Sequence, residues 1–125
     1  MLNKIAFIYE EANDQSNTFT PYHTRYDCVI KYGTNDKPYR FDYQCNPDHM
    51  MPNIKDVMCS LISDALAYDE ADNIFDFCDE FGYDCIDDYD NAIKIYNACK
   101  KTSIALHNMF TDDEFESIET ETNEY

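Results

Sequence analysis

The spacing of the apolar residues changes at Pro52, and that change does most to limit the folds open to this chain. Before it, Tyr39, Phe41, Tyr43 and Cys45 alternate with Arg40, Asp42 and Gln44, so an extended segment there has one apolar and one polar face. After it, Ile54, Val57, Met58, Leu61, Ile62, Ala65 and Leu66 recur at three- and four-residue spacing, which gathers them on one side of a helix. Strand periodicity followed by helix periodicity describes an α+β domain.

Upstream, Tyr26 to Tyr32 alternates in part, and Gly33-Thr34-Asn35-Asp36-Lys37-Pro38 carries turn chemistry, so Tyr26 to Cys45 reads as a hairpin. Lys4 to Tyr9 is a short apolar run rich in β formers that periodicity alone does not assign, and Gln15 to Pro21 reads as a polar loop. Downstream, Asn53 is placed to cap the first helix, with Asp56 three residues on in capping-box position. Asp72 is the expected cap of a short second helix carrying Phe75, Phe77, Cys78 and Phe81, and Gly82 its stop. A third helix starts near Asp88 to Asp90 and carries Ala92, Ile95, Tyr96, Cys99, Leu106, Met109 and Phe110 on one stripe. Thr111 with Glu114 opens a last turn holding Phe115 and Ile118. The expected architecture is a two- or three-stranded antiparallel sheet followed by three helices, one domain over residues 1–118, with an acidic tail over 119–125 expected to fray.

Charge constrains function more than fold. Twenty-six acidic against nine basic residues give a formal net charge of −17. Duplex DNA carries one charge per 1.7 Å of axis, so this charge matches about 29 Å of duplex, while a domain of this length is roughly 35 Å across. Such a body repels nucleic acid and attracts proteins that bind it. The charge is also segregated. From Asp56 to Ile93 there are twelve acidic residues and no Lys or Arg, and from Thr111 to Tyr125 seven more, again with no base. Mixed signs on a helix gain about 0.2–0.5 kcal/mol per i,i+4 pair, and like charges lose as much, so a base-free helical face implies a use for its field.

The six cysteines, Cys28, Cys45, Cys59, Cys78, Cys85 and Cys99, form no CxxC pair, and His23, His49 and His107 are remote from any such pair, so zinc spacing is absent. They are expected to be reduced, mostly buried thiols. No apolar run approaches the roughly 18 residues of a membrane span, and the first eleven residues lack the layout of a signal peptide, so a cytoplasmic location is expected.

Catalytic constellations are not evident. Gly33 and Gly82 are the only glycines, which excludes a Gly-rich phosphate loop. Placing Gly82 at the sixth position of an EF-hand puts Phe77 at the first, where an acid is required; a looser cation site in Asp84 to Asp90 stays open. Adjacent acids such as Asp79-Glu80 and Asp87-Asp88 do not converge on one substrate atom. Tyr39, Phe41 and Tyr43 have the spacing to stack bases, but packing beneath the helices is the preferred reading, and the net charge opposes phosphates.

The Phe75-Asp76-Phe77-Cys78 and Phe81-Gly82-Tyr83-Asp84 block carries a resemblance, with Pro52, Asp56-Val57, Ser60-Leu61 and Ser63-Asp64-Ala65 before it and Ile95-Tyr96-Asn97-Ala98-Cys99-Lys100 after it. Over about Tyr26 to Phe110 the chain resembles a group of small uncharacterised proteins of bacteriophages and other mobile elements. The resemblance implies genomic company rather than a reaction. The acidic stretch Cys85 to Asp90 and the acidic tail depart from the group's pattern. Small acidic phage proteins include anti-CRISPR and anti-restriction inhibitors, an analogy of class only.

The expectation from sequence is therefore a non-enzymatic protein without cofactor or metal that mimics nucleic acid. Its partner would be a basic host protein handling nucleic acid, a CRISPR effector or a restriction nuclease, with no direct nucleic-acid or membrane contact and oligomeric state open. The contact residues would be Asp64, Asp69, Glu70, Asp72, Asp76, Asp79, Glu80, Asp84, Asp87, Asp88 and Asp90. The alternative is a phage accessory adaptor whose acidic surface is merely solvated.

Overall fold

Three strands, β1 (Ile5–Glu11), β2 (Thr24–Tyr32) and β3 (Tyr39–Cys45), precede four helices, α1 (Ile54–Glu70), α2 (Ile74–Phe81), α3 (Tyr89–Met109) and α4 (Asp112–Asn123). The computed structural model describes residues 4–11, 24–34, 36–45 and 52–123. The polar loop expected at 15–21, His23, His49, the side chain of Cys45 and the last two residues lie outside these. Among the described residues no helix is long and apolar enough to cross a membrane.

The strands form an antiparallel meander in the order β1-β2-β3. Ile5, Phe7 and Tyr9 stand opposite Tyr32, Ile30 and Cys28, and Tyr26, Cys28 and Ile30 stand opposite Tyr43, Phe41 and Tyr39. These register pairs put all the inward residues on one face, as the period of two requires. The run Lys4 to Tyr9 is thus a strand, fixed by pairing with β2 rather than by its own pattern. Tyr39 is buried and Phe41 and Tyr43 partly so, packed on the core. Their rings pack on the core beneath the helices.

Helix ends follow local chemistry. Asn53 Oδ1 accepts the Asp56 N–H at 2.9 Å, and Asn53 Nδ2 donates to Asp56 Oδ2 at 2.7 Å, closing the expected box. At α2 the cap is Asn73 rather than Asp72: its Oδ1 accepts from the N–H groups of Phe75 and Asp76 at 2.9 and 3.0 Å. Gly82 ends α2 in the left-handed region at φ 81°, where a β-carbon would be strained. Thr111 and Glu114 exchange hydrogen bonds at 3.1 and 3.2 Å to start α4. The last turn expected there runs on as a twelve-residue helix that buries Phe115, Ile118 and Thr122.

The core lies between the sheet and the helices: Ile5, Ile30 and Tyr39 from the strands meet Val57, Met58, Leu61, Ile62 and Ala65 of α1, Leu106 and Met109 of α3, and Phe115 and Ile118 of α4. The buried Thr102 of α3 is satisfied there. Thr102 Oγ1 donates to the Ala98 carbonyl and lies 3.0 Å from the Tyr39 hydroxyl, joining α3 to β3. Tyr32 on β2 hydrogen-bonds the Glu114 carboxylate on α4, and that bond, with those from Thr111, holds Glu114 below the usual carboxylate range.

Candidate acidic interface

The short helix α2 is anchored by one large side chain. Phe77, 1% exposed, packs its ring against Phe81, Tyr83 and Tyr96 at centroid distances of 5.1, 5.6 and 5.4 Å. Tyr96 continues the cluster to Tyr68 on α1 at 5.3 Å. With Phe77 and Cys78 inward, the opposite face of α2 turns Asp76, Asp79 and Glu80 outward. These residues stand at i,i+3,i+4 spacing, where like charges repel.

All eleven acids expected on the face are exposed, but they are not equivalent. Glu70 at the end of α1, Asp72 in the connection, and Asp76, Asp79 and Glu80 on α2 border one shallow depression of about 400 Å³. Asp87, Asp88 and Asp90 stand at the N-terminal end of α3, where the helix dipole favours them. Of the other three, Asp69 and Asp84 have structural partners. Asp69 accepts from Ser103 Oγ at 2.6 Å and pairs with His107 Nε2 at 2.9 Å, clamping α1 to α3. Asp84 Oδ1 accepts the N–H groups of Ile86 and Asp87, both at 2.9 Å, which holds its carboxyl below the usual range. Asp64, exposed by surface area, has its carboxyl pushed above the usual range because neighbouring atoms take water from it, and its charge in turn raises Cys99, a thiol that burial lifts to about 11. The structure thus gathers five of the eleven acids in one depression, with three more at the start of α3.

Two features of this region escape the sequence. Among the described residues seven large hydrophobics are exposed, and five of them, Phe75, Phe81, Tyr83, Ile86 and Tyr89, lie between α2 and the first residue of α3 inclusive. Phe75 is 65% exposed and Ile86 89%. A helical wheel separates Phe75 by about 110° from the centre of the Phe77, Cys78 and Phe81 arc, and that angle was the available signal. Second, the Gly82 turn brings Cys85 back to Cys78, with Sγ atoms 2.6 Å apart, despite a spacing unlike any redox motif. Cys85 also lies 3.7 Å from the Ile74 carbonyl, and burial raises the Cys78 thiol to about 11.

Among the described residues no group of three or more His, Cys, Asp or Glu is arranged to hold a metal ion. The architecture defines a three-stranded antiparallel meander followed by four helices, an α+β protein with an acidic face. No protein-family model, curated protein or solved structure matches the chain.

Proposed function

We propose that this chain is a non-catalytic inhibitor of phage or mobile-element origin. It occupies the basic nucleic-acid groove of a host defence machine such as a CRISPR effector or restriction nuclease. The observation that carries this reading is the mixture of charges and exposed apolar side chains on α2 and its flanks. Phe75, Ile86 and Tyr83 stand exposed in the same segment as Asp76, Asp79 and Glu80. A surface serving only solubility has no need of apolar side chains concentrated in one segment; exposed apolar patches mark contact sites. In such a contact the aromatic and aliphatic residues act as anchors and the acids supply steering and register. Asp69 and Asp84 then act chiefly by shaping the face, since their carboxylates already have partners.

The test begins with capture of partners from a host lysate at low salt and release by rising salt, followed by competition with DNA or RNA for each partner. Reversal of Asp76, Asp79 and Glu80 to Lys is expected to slow association more than it speeds dissociation. Phe75→Ala with Ile86→Ser is expected to act mainly on dissociation. A partner that holds this protein and nucleic acid together, neither affecting the other, refutes groove occupation. An affinity indifferent to salt and to both sets of substitutions moves the interface off this face.

A further inference from the structure

The rare bases of this chain are placed as unevenly as its acids. Of nine basic residues, three, Lys37, Lys100 and Lys101, line one cavity of about 480 Å³. Its apolar lining includes Tyr39, Ile104 and Met109, and Ile104 is 51% exposed. The cavity lies between the β2–β3 turn and the C-terminal half of α3 and shares no lining residue with the acidic depression on α2. An adjoining cavity shares Asn108 and Met109 and adds Lys4. No carboxylate lines either cavity among the described residues, although acids outnumber bases 26 to 9. Glu114, whose carboxylate senses Lys4, is already engaged by Tyr32 and Thr111.

Concave, mostly apolar pockets of about 300–1,000 Å³ with a few converging polar groups are the usual form of small-molecule sites. We propose that this cavity binds a small organic anion. Its aromatic or aliphatic body rests on Tyr39, Ile104 and Met109, and its carboxylate, phosphate or sulfonate meets the ammonium groups of Lys100 and Lys101. Lysine suits this role because its charge is compact and its stem flexible, so one floor accepts several anionic head groups. The apolar body is required by the same electrostatics. A bare inorganic anion meets the repulsion of a body at −17, and buried apolar area must offset it. Salt screens both the local attraction and the global repulsion, so charge reversal, not salt, is the discriminating variable.

The experiment is a backbone-amide NMR titration of the whole chain with four probes: anilinonaphthalene sulfonate, laurate, adenosine monophosphate and inorganic phosphate. At least one organic probe is expected to saturate at one equivalent, with shifts centred on Tyr39, Lys100, Lys101, Ile104 and Met109. Laurate and the nucleotide separate an aliphatic carboxylate from an aromatic phosphate as the natural chemistry. Lys100→Glu with Lys101→Glu is expected to weaken binding by at least about tenfold, and the milder Lys100→Gln with Lys101→Gln by less, with the fold checked by circular dichroism. Inorganic phosphate binding as tightly as the organic probes would overturn the proposal. So would shifts that map elsewhere, saturation unchanged by the double reversal, or no saturation by any organic probe at millimolar concentration. A dimer that the double reversal dissociates would assign the groove to the acidic surface of a second copy and overturn it equally.

Discussion

Phe77→Ala is expected to release α2 while leaving the sheet, α1 and α3 folded. An eight-residue helix has no stability of its own in water, so α2 exists because its inward face is packed. That face holds two buried residues, Phe77 and Cys78, and only Phe77 reaches the rings of Phe81, Tyr83 and Tyr96. Removing a buried phenylalanine ring costs about 3–5 kcal/mol, which includes the cavity left behind. The three ring contacts, about 0.5–1.5 kcal/mol each in isolation, fall inside that range rather than adding to it. The loss exceeds what the Asn73 cap and the Gly82 stop return, since a cap is worth about 1 kcal/mol. Native-state hydrogen exchange is the assay. Amides of 74–82 are expected to lose up to about two to three orders of magnitude of protection, while those of Leu61, Ile62 and Leu106 change little. Retained protection across α2, or an equal loss in α1 and α3, would refute the argument that one side chain holds the acidic face in place. Phe77→Leu, which keeps most of the volume, should lose much less.

Leu61→Ala, at the centre of the α1 stripe and 5% exposed, is expected to lower the chemical-denaturation stability by about 2–5 kcal/mol; an unchanged midpoint would mean the helix face is wrongly drawn. Tyr39→Phe should lose only about 1 kcal/mol by the same assay, because Thr102 keeps its bond to the Ala98 carbonyl. Acid titration followed by thermal melting should show a maximum. The Asp27 carboxyl is raised by its hydrogen bond to Asp42 directly across the strands, and Asp64 by burial, so both oppose folding when ionised, and stability rises as pH falls through their raised values. Glu114 and Asp84 are lowered, so their contribution is full above the ordinary carboxylate range near ~4 and disappears below it; a melting temperature that climbs without a maximum down to pH ~2 would contradict the pairing. Treatment with diamide, which takes up the two electrons and two protons, should convert the Cys78 and Cys85 thiols to an intramolecular disulfide, read as the loss of two hydrogen masses in the peptides spanning 78–85. Recovery of both thiols unmodified, with Cys59 oxidised instead, would contradict their closeness.

What could be read from sequence was whatever short-range chemistry decides. Asn53 with Asp56, Gly82, Thr111 with Glu114, and the alternation of Tyr39 to Tyr43 each needed only neighbours within a few residues, and each stands as expected. Asp72 and Asn73 offer nearly identical capping groups one residue apart, and local sequence does not decide between them; the helix takes Asn73. The strand at β1 depended on partners distant in the chain, since Ile5 faces Tyr32 and Glu11 faces Tyr26. The helix at α4 depended on a core that its own sequence, poor in apolar residues, does not reveal. The acids were found because charge announces itself without a partner. The exposed aromatics and the Cys78 and Cys85 contact were not, because exposure and contact are set by which elements arrive alongside.

The 21 residues of α3 run from Asp88 and Asp90 at its start to Lys100 and Lys101 in its C-terminal half. At 1.5 Å per residue, Asp88 and Lys101 are about 20 Å apart along the helix axis. At physiological ionic strength the Debye length is about 8 Å, so these two charges are largely screened from each other although one rod of backbone joins them. In dilute buffer of about 0.01 M salt that length grows to about 30 Å, and the whole molecule then behaves as a single anion. Asp88 and Lys101 act independently only in a medium as salty as a cell.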